Sequence, residues 1–287
     1  MVATVLAGLA PVLPARAAAP VRTTSDPEVY RGDFPDPDVI TVGSVFWAYG
    51  TGSHGRNLQV VSSTDLLAGI KPTEALPVLP TWAVAGKTWA PGVVWLPFVY
   101  VMYYTVHDRA SGLQCISVAT SSTPRGPFVD RSSGPLVCQI TQGGSIDPSP
   151  FVAPDGHLYL VWKSDNNSSG GSASEIWSQP LAPGGLAVTG QAAPLLGDTA
   201  AWEFPVIEAP AMMALGGRYY LFFDGNLWDT KMSGIGYAVC SSPLGPCADA
   251  SADGAWLATS SGITGPAGPA PATAGAPSSR RSRPCRR

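Results

Sequence analysis

Three stretches combine acids with prolines in a way that could do chemistry. The first, Gly32 to Ile40, places Asp33, Asp36 and Asp38 around Phe34, Pro35 and Pro37. The others are Ile146-Asp147-Pro148-Ser149-Pro150-Phe151 and Ile207-Glu208-Ala209-Pro210. Each runs into a strand-like segment. Proline biases the residue before it toward extended backbone, which predicts an open, non-helical conformation at Asp36. Asp36, Asp147 and Glu208 are expected at matching positions of three repeated units. Carboxyls gathered in one confined site cannot all ionise at their ordinary pKa, so at least one is pushed upward. Glu208 is the expected one, because Ile207, Ala209 and Pro210 offer it little solvation. A carboxyl kept protonated near neutral pH is a general acid, and an ionised partner across the pocket can activate water. Glycoside hydrolysis uses this two-carboxylate arrangement.

The elements that must position these acids form a repeat. Val45-Phe46-Trp47-Ala48-Tyr49-Gly50-Thr51 aligns with Tyr100 to Thr105, His157 to Ser164 and Arg218 to Gly225. The interval of roughly 55 to 60 residues is that of a propeller-like array. β-Branched and aromatic residues in short runs point to strands. Each copy has a leader ahead of it, the second being Trp89-Ala90-Pro91-Gly92-Val93-Val94. Each also has a follower, such as Cys115 to Ser122 or Ile235 to Ser242. Leader, aromatic strand, follower and a polar outer strand predict a four-stranded antiparallel blade. Four such units are recognisable. Leaders line the axis of a propeller, so their acids would face one another there.

The 32 glycines and 29 prolines favour many short strands over helices. The net charge is -3 although five arginines crowd the last eight residues, so the body is acidic and unlike a nucleic-acid binder. Residues 1–19 read as an export signal, with an apolar Val2–Leu13 run too short to span a membrane and a small-x-small Ala15-Arg16-Ala17 site. In an exported chain, Cys115 could bridge Cys138 and Cys240 could bridge Cys247, with buried free thiols the other reading. The propeller domain is expected over 27–262. Residues 263–287, rich in Gly, Pro and Arg, cannot bury a core and read as a disordered tail, attributed here to a reading-frame slip that replaces a last blade.

The motifs Phe34-Pro35-Asp36-Pro37-Asp38-Val39-Ile40, Thr88-Trp89-Ala90-Pro91, Gly144 to Phe151 and Val206-Ile207-Glu208-Ala209-Pro210 resemble those of glycoside hydrolase family 43. The resemblance implies an all-β, five-bladed β-propeller with an incomplete or missing fifth blade. It implies a secreted, monomeric enzyme that cleaves arabinose- or xylose-containing plant cell-wall polysaccharides or oligosaccharides by inversion. Neither nucleic acid nor membrane is an expected partner. Asp36 would be the general base, Glu208 the general acid, and Asp147 would orient and tune the acid. Substrate contacts are expected from Trp89, Phe34 and Glu203. No cofactor is implied for the chemistry. A structural calcium is compatible with the resemblance, but its usual fifth-blade site is not visible.

Rival assignments stay open. Asp38 could be the base, and Glu203 the acid. Asp33 reads as a turn residue, while His54, His107 and His157 are scattered and form no metal cluster. The chain departs from the family at Gly92, where many members carry an acid. A non-catalytic sugar-binding propeller, or an inactive truncated one, is the alternative function. A complete four-bladed ring is the alternative architecture.

Overall fold

The aromatic repeat becomes four antiparallel sheets set side by side as propeller blades. The computed structural model describes residues 30, 32–65, 71–169 and 173–258. The expected export signal, Cys285 and the 263–287 tail lie outside the described residues.

Blade one contains β1 (Asp38–Val42), β2 (Val45–Thr51), β3 (Leu58–Ser63) and β4 (Thr73–Glu74). Blade two contains β5 (Ala83–Leu96), β6 (Val99–Asp108) and β7 (Gln114–Ser121). In blade three, β8 (Ser145–Val152), β9 (Leu158–Ser164), β10 (Glu175–Pro180) and β11 (Ala193–Gly197) follow one another outward. Blade four has β12 (Ile207–Leu215), β13 (Arg218–Gly225), β14 (Gly234–Cys240) and β15 (Cys247–Asp249), with β16 (Leu257–Ala258) also on β14.

Packing between blades explains why the aromatic strands lack polar alternation. Successive side chains of a strand face opposite ways, so a strand covered on both faces is apolar throughout. In β6, Met102, Tyr104 and Val106 join Tyr49, Leu58 and Val60 of blade one. The alternate residues Val101 and Tyr103 join Leu158, Leu160 and Trp162 of blade three. The same division holds in β9, whose Val161 turns to Leu221 and Phe223 of blade four. Each buried Leu, Val or Met there contributes about 1.5–3 kcal/mol. The packing runs from blade one to two, two to three and three to four. Among the described residues, no strand of blade four packs broadly against one of blade one.

Blade two corrects the expectation of four strands per unit. Its outer edge is an irregular segment whose backbone pairs with β7 through the isolated bridges Ile116–Val137 and Thr120–Val129 in place of a fourth strand. The Cys115–Cys138 disulfide holds that segment against β7, and Cys240–Cys247 joins β14 to β15. Both pairings are those the spacing suggested.

Candidate active site

The leaders share a backbone device. Asp36, Ala90, Asp147 and Ala209 all precede proline, and all have positive φ, at 50°, 41°, 55° and 50°. The expected extended backbone at Asp36 is therefore corrected. In β5, β8 and β12 the ladder shifts register across this residue, between Trp89 and Gly92, Ile146 and Ser149, and Glu208 and Ala211. Blade one does the same, since the Thr51 amide donates to Pro35 O at 3.0 Å and the regular ladder starts only at Asp38–Tyr49. A bulge leaves residues unpaired and bends the strand, and here it turns the chain through the left-handed region. A non-glycine residue there costs about 1–3 kcal/mol, which the flanking sheet must offset; such strain clusters at functional sites.

This common bulge fixes the true equivalences. Asp36, Ala90, Asp147 and Ala209 are one set. Glu208 stands one residue earlier, with Pro35, Trp89 and Ile146. The expectation that all three acids occupy matching positions is corrected: Asp36 and Asp147 match, whereas Glu208 enters from the preceding backbone step.

Hydrogen bonds tie successive leaders together. The Thr51 hydroxyl donates to Asp36 Oδ2 and accepts the Ala90 amide at 2.8 Å. Thr105 Oγ1 accepts the Asp147 amide at 3.1 Å. Asp147 Oδ2 accepts the Ala209 amide, also at 3.1 Å. Asp38 does other work: its Oδ2 accepts the Val93 amide at 2.7 Å and so joins blade one to blade two.

The carboxyls act on one another. Burial, then the charge of Asp147, raises Glu208 to about 8, with the Lys163 ammonium opposing and Asp36 and Asp165 adding to the rise. Burial raises Asp36 to about 7; the Thr51 hydrogen bond opposes this, while Asp147 and Asp33 reinforce it. Asp147 is raised by burial and held back by Lys163 and the Ala209 amide, with Asp165 pushing up. Asp38 is also lifted to about 7, by burial, but its hydrogen bonds are to backbone amides of Val93 and Val39. Asp36, Asp147 and Glu208 therefore form one electrostatic cluster.

The remaining expected site residues divide. Trp89 is 37% exposed and immediately precedes the blade-two bulge, at the position equivalent to Glu208. Phe34 is half-buried, lies edge-on to Tyr30 at 6.2 Å, and packs on Gly50, where a Cβ would come within 2.9 Å of its ring. Glu203 has no exposure, and its Oε2 accepts the Thr199 and Ala200 amides at 2.9 Å. A side chain so enclosed holds the loop leading to β12 and cannot touch a ligand, which corrects its expected substrate contact. His157 pairs with Asp155 at the surface, and His107 lies 3.1 Å from Gln114. Among the described residues, no group of three His, Cys, Asp or Glu could hold a metal ion.

Two buried groups were missed. Thr51, Thr105, Lys163 and Asp224 are equivalent residues, each opposite the residue before the bulge. Lys163 is 1% exposed, bonds Asn167 Oδ1 at 2.8 Å and lies 3.5 Å from Asp165. Asp224 is 3% exposed and directly opposite Glu208. The signal was available: all four fall in the last two positions of the aligned aromatic runs, and polar residues there break the apolar pattern.

A model of glycosyl hydrolases family 43 matches residues 26–267. The chain is 33% identical over 170 residues to the probable arabinan endo-1,5-alpha-L-arabinosidase B of Aspergillus fumigatus, covering 54% of this chain and 42% of that protein. Identity to the arabinoxylan arabinofuranohydrolase of Bacillus subtilis is 28% over 173 residues, 56% of this chain and 34% of that protein. The chain thus spans less than half the length of these two curated relatives. Among solved structures, a thermostable family-43 glycoside hydrolase superposes with a TM-score of 0.72 at 26% identity, covering 82% of this chain and 77% of the other. An endo-1,4-beta-xylanase from Bacteroides thetaiotaomicron gives a TM-score of 0.64 at 28% identity, with 76% and 72% covered.

Proposed function

Because the chain belongs to glycosyl hydrolases family 43, we propose that it hydrolyses glycosidic bonds in arabinose- or xylose-containing plant polysaccharides or oligosaccharides, with inversion at the anomeric carbon. Asp36 is the general base, Glu208 the general acid, and Asp147 the residue that orients and tunes the acid. The observation that carries this reading is the placing of the three carboxyls on neighbouring leaders: Asp36 and Asp147 occupy equivalent bulges and Glu208 stands one residue before the next, so that burial and their mutual charge raise all three. Glu208, raised to about 8, holds its proton at neutral pH as a general acid must. An ionised base facing a protonated acid is the state an inverting hydrolase requires.

In the reaction, Asp36 takes a proton from a water molecule as that water attacks the anomeric carbon. Glu208 gives its proton to the departing glycosidic oxygen as the bond to carbon breaks. Inversion places the two carboxyls roughly 6.5–9.5 Å apart, with the water beside the base. The Thr51 hydroxyl on Asp36 and the Ala209 amide on Asp147 fix two of the carboxyls. Trp89, exposed beside the cluster, offers an aromatic face for the apolar side of a pentose. The names of the relatives, arabinan and arabinoxylan hydrolases, support the choice of substrate class. The two disulfides support an exported protein, and we take it to act as a monomer. The reaction as proposed routes no step through calcium; among the described residues no group of three His, Cys, Asp or Glu could hold it.

Release of pentose or oligosaccharide from arabinan and arabinoxylan tests the reading. Asp36→Asn and Glu208→Gln are each expected to abolish it in proteins that still unfold in one cooperative transition. Near-normal hydrolysis by either variant removes that residue from its role. Sugar binding without turnover in the unmodified chain supports a binding propeller instead.

A further inference from the structure

Blade four breaks the pattern of polar residues that surrounds the cluster. In blades one and two the residue opposite the pre-bulge position is threonine, and its hydroxyl accepts an amide from the next leader. In blade three it is Lys163, whose positive charge acts on Asp147 and Glu208. In blade four it is an acid, Asp224, paired across β12 and β13 with another acid, Glu208. Directly opposed residues of antiparallel strands have Cβ atoms about 4.5–5.5 Å apart. Asp224 Oδ1 and Glu208 Oε1 are both buried, and neither has a hydrogen-bond partner within the protein. Two carboxylates cannot both stay ionised at such a place, and two carboxyls with one proton between them satisfy each other.

We propose that Asp224 is a positioning residue for Glu208: the two carboxyls share one proton across the β12–β13 pair, which keeps Glu208 loaded as a proton donor. The inference rests on Glu208 being the acid of the proposed hydrolase. Its chemistry is balanced within the chain, since the proton passed to the leaving oxygen is the one the pair held, and water supplies its replacement. Asp147, Asp36 and Asp165 act on Glu208 and favour retention of the proton, and Lys163 opposes it. Burial, then Glu208, Asp147 and Asp36, push Asp224 itself well above the ordinary aspartate range.

The test is an infrared titration of the full chain with carboxyl-labelled glutamate, where the band lost in Glu208→Gln identifies Glu208. The expected result is a protonated Glu208 band that persists above neutral pH. In Asp224→Asn its midpoint falls by about one unit or more, a tenfold loss of proton affinity. The alkaline limb of kcat/KM on arabinan should fall with it. Asp224→Thr, which installs the residue of blades one and two, should do the same. A midpoint unmoved in a folded Asp224→Asn or Asp224→Thr protein overturns the proposal. If neither variant folds, wild-type protein carrying labelled aspartate and glutamate still decides: sharing predicts that the Asp224 and Glu208 bands change together over two steps, and two independent single-step titrations overturn it. The infrared readout needs no turnover. An inert protein showing the shift loses the hydrolase reading and keeps the proton-sharing pair; an active enzyme without the shift does the reverse.

Discussion

Gly92 stands where blades two and three meet, and replacing it should disturb stability and catalysis together. A Cβ at this residue would lie 2.4 Å from Pro148 O and 2.6 Å from Pro150 Cδ. Neither neighbour is a flexible side-chain end. One is backbone, the other a ring fixed in β8, so relief requires the two leaders to separate by up to about 1 Å, toward ordinary contact. Overpacking of this kind costs about 1–3 kcal/mol, or a fall in melting temperature of about 2–12 °C for a domain of this size. Pro148 directly follows Asp147, so the displacement passes into the cluster. A misplacement of about 1 Å can cost about 10²-fold in rate. Gly92→Ala is therefore expected to melt several degrees lower and to lose most pentose release. Gly184→Ala is the control, because a Cβ there meets nothing within 4 Å. Thermal unfolding by circular dichroism and a reducing-sugar assay on arabinan measure both effects. If Gly92→Ala matches Gly184→Ala in melting and in turnover, the close approach of these leaders has been misjudged.

Three further outcomes follow from the same geometry. Asp36, Asp38 and Glu208 have folded-state pKa values of about 7, 7 and 8, against ordinary values of 3.8, 3.8 and 4.5. Between roughly pH 4 and 8 the folded protein then binds more protons than the unfolded chain, so this contribution is present in acid and lost as pH rises; melting temperature should fall from pH 5 to pH 8. Thr51→Val removes the hydroxyl that bonds Asp36 and leaves the Ala90 amide unpaired, which should cost about 1–3 kcal/mol in denaturant titrations and move the acid limb of kcat/KM upward. Replacing Cys115 and Cys138 by serine opens a loop with a sequence separation of 23; a loss of about 3–4 kcal/mol in chemical unfolding is expected, since the bridge also holds the irregular edge of blade two.

How far the sequence could be read depends on which forces leave a mark in it. The aromatic runs ending at Thr51, Thr105, Ser164 and Gly225 were legible because burial between blades demands apolar residues on both faces of β6 and β9. Asp36-Pro37 and Asp147-Pro148 were legible for a similar reason, since acid and proline mark the bulge directly. The offset of Glu208 was not. In blade four the bulge residue is Ala209, which carries no sign of its left-handed backbone, so the nearest acid was taken for its equivalent. The pre-proline rule pointed the wrong way at all four leaders, because the bulge overrides the local preference of a single residue. Asp224 and Lys163 were hidden inside strand patterns, and only the equivalence set by the ladder shows that they face the acids. Glu203 was expected to contact substrate because its sequence shows nothing of the Thr199 and Ala200 amides that its carboxylate accepts.

The central claim is that Asp36 and Glu208 act from opposite sides of a sugar ring on a water and a leaving oxygen. Proton NMR of the first product formed from an α-linked arabinan tests it most directly, read before mutarotation scrambles the anomers. The account predicts the β-anomer as the initial product. An initial α-anomer, formed by the unmodified chain, would contradict it.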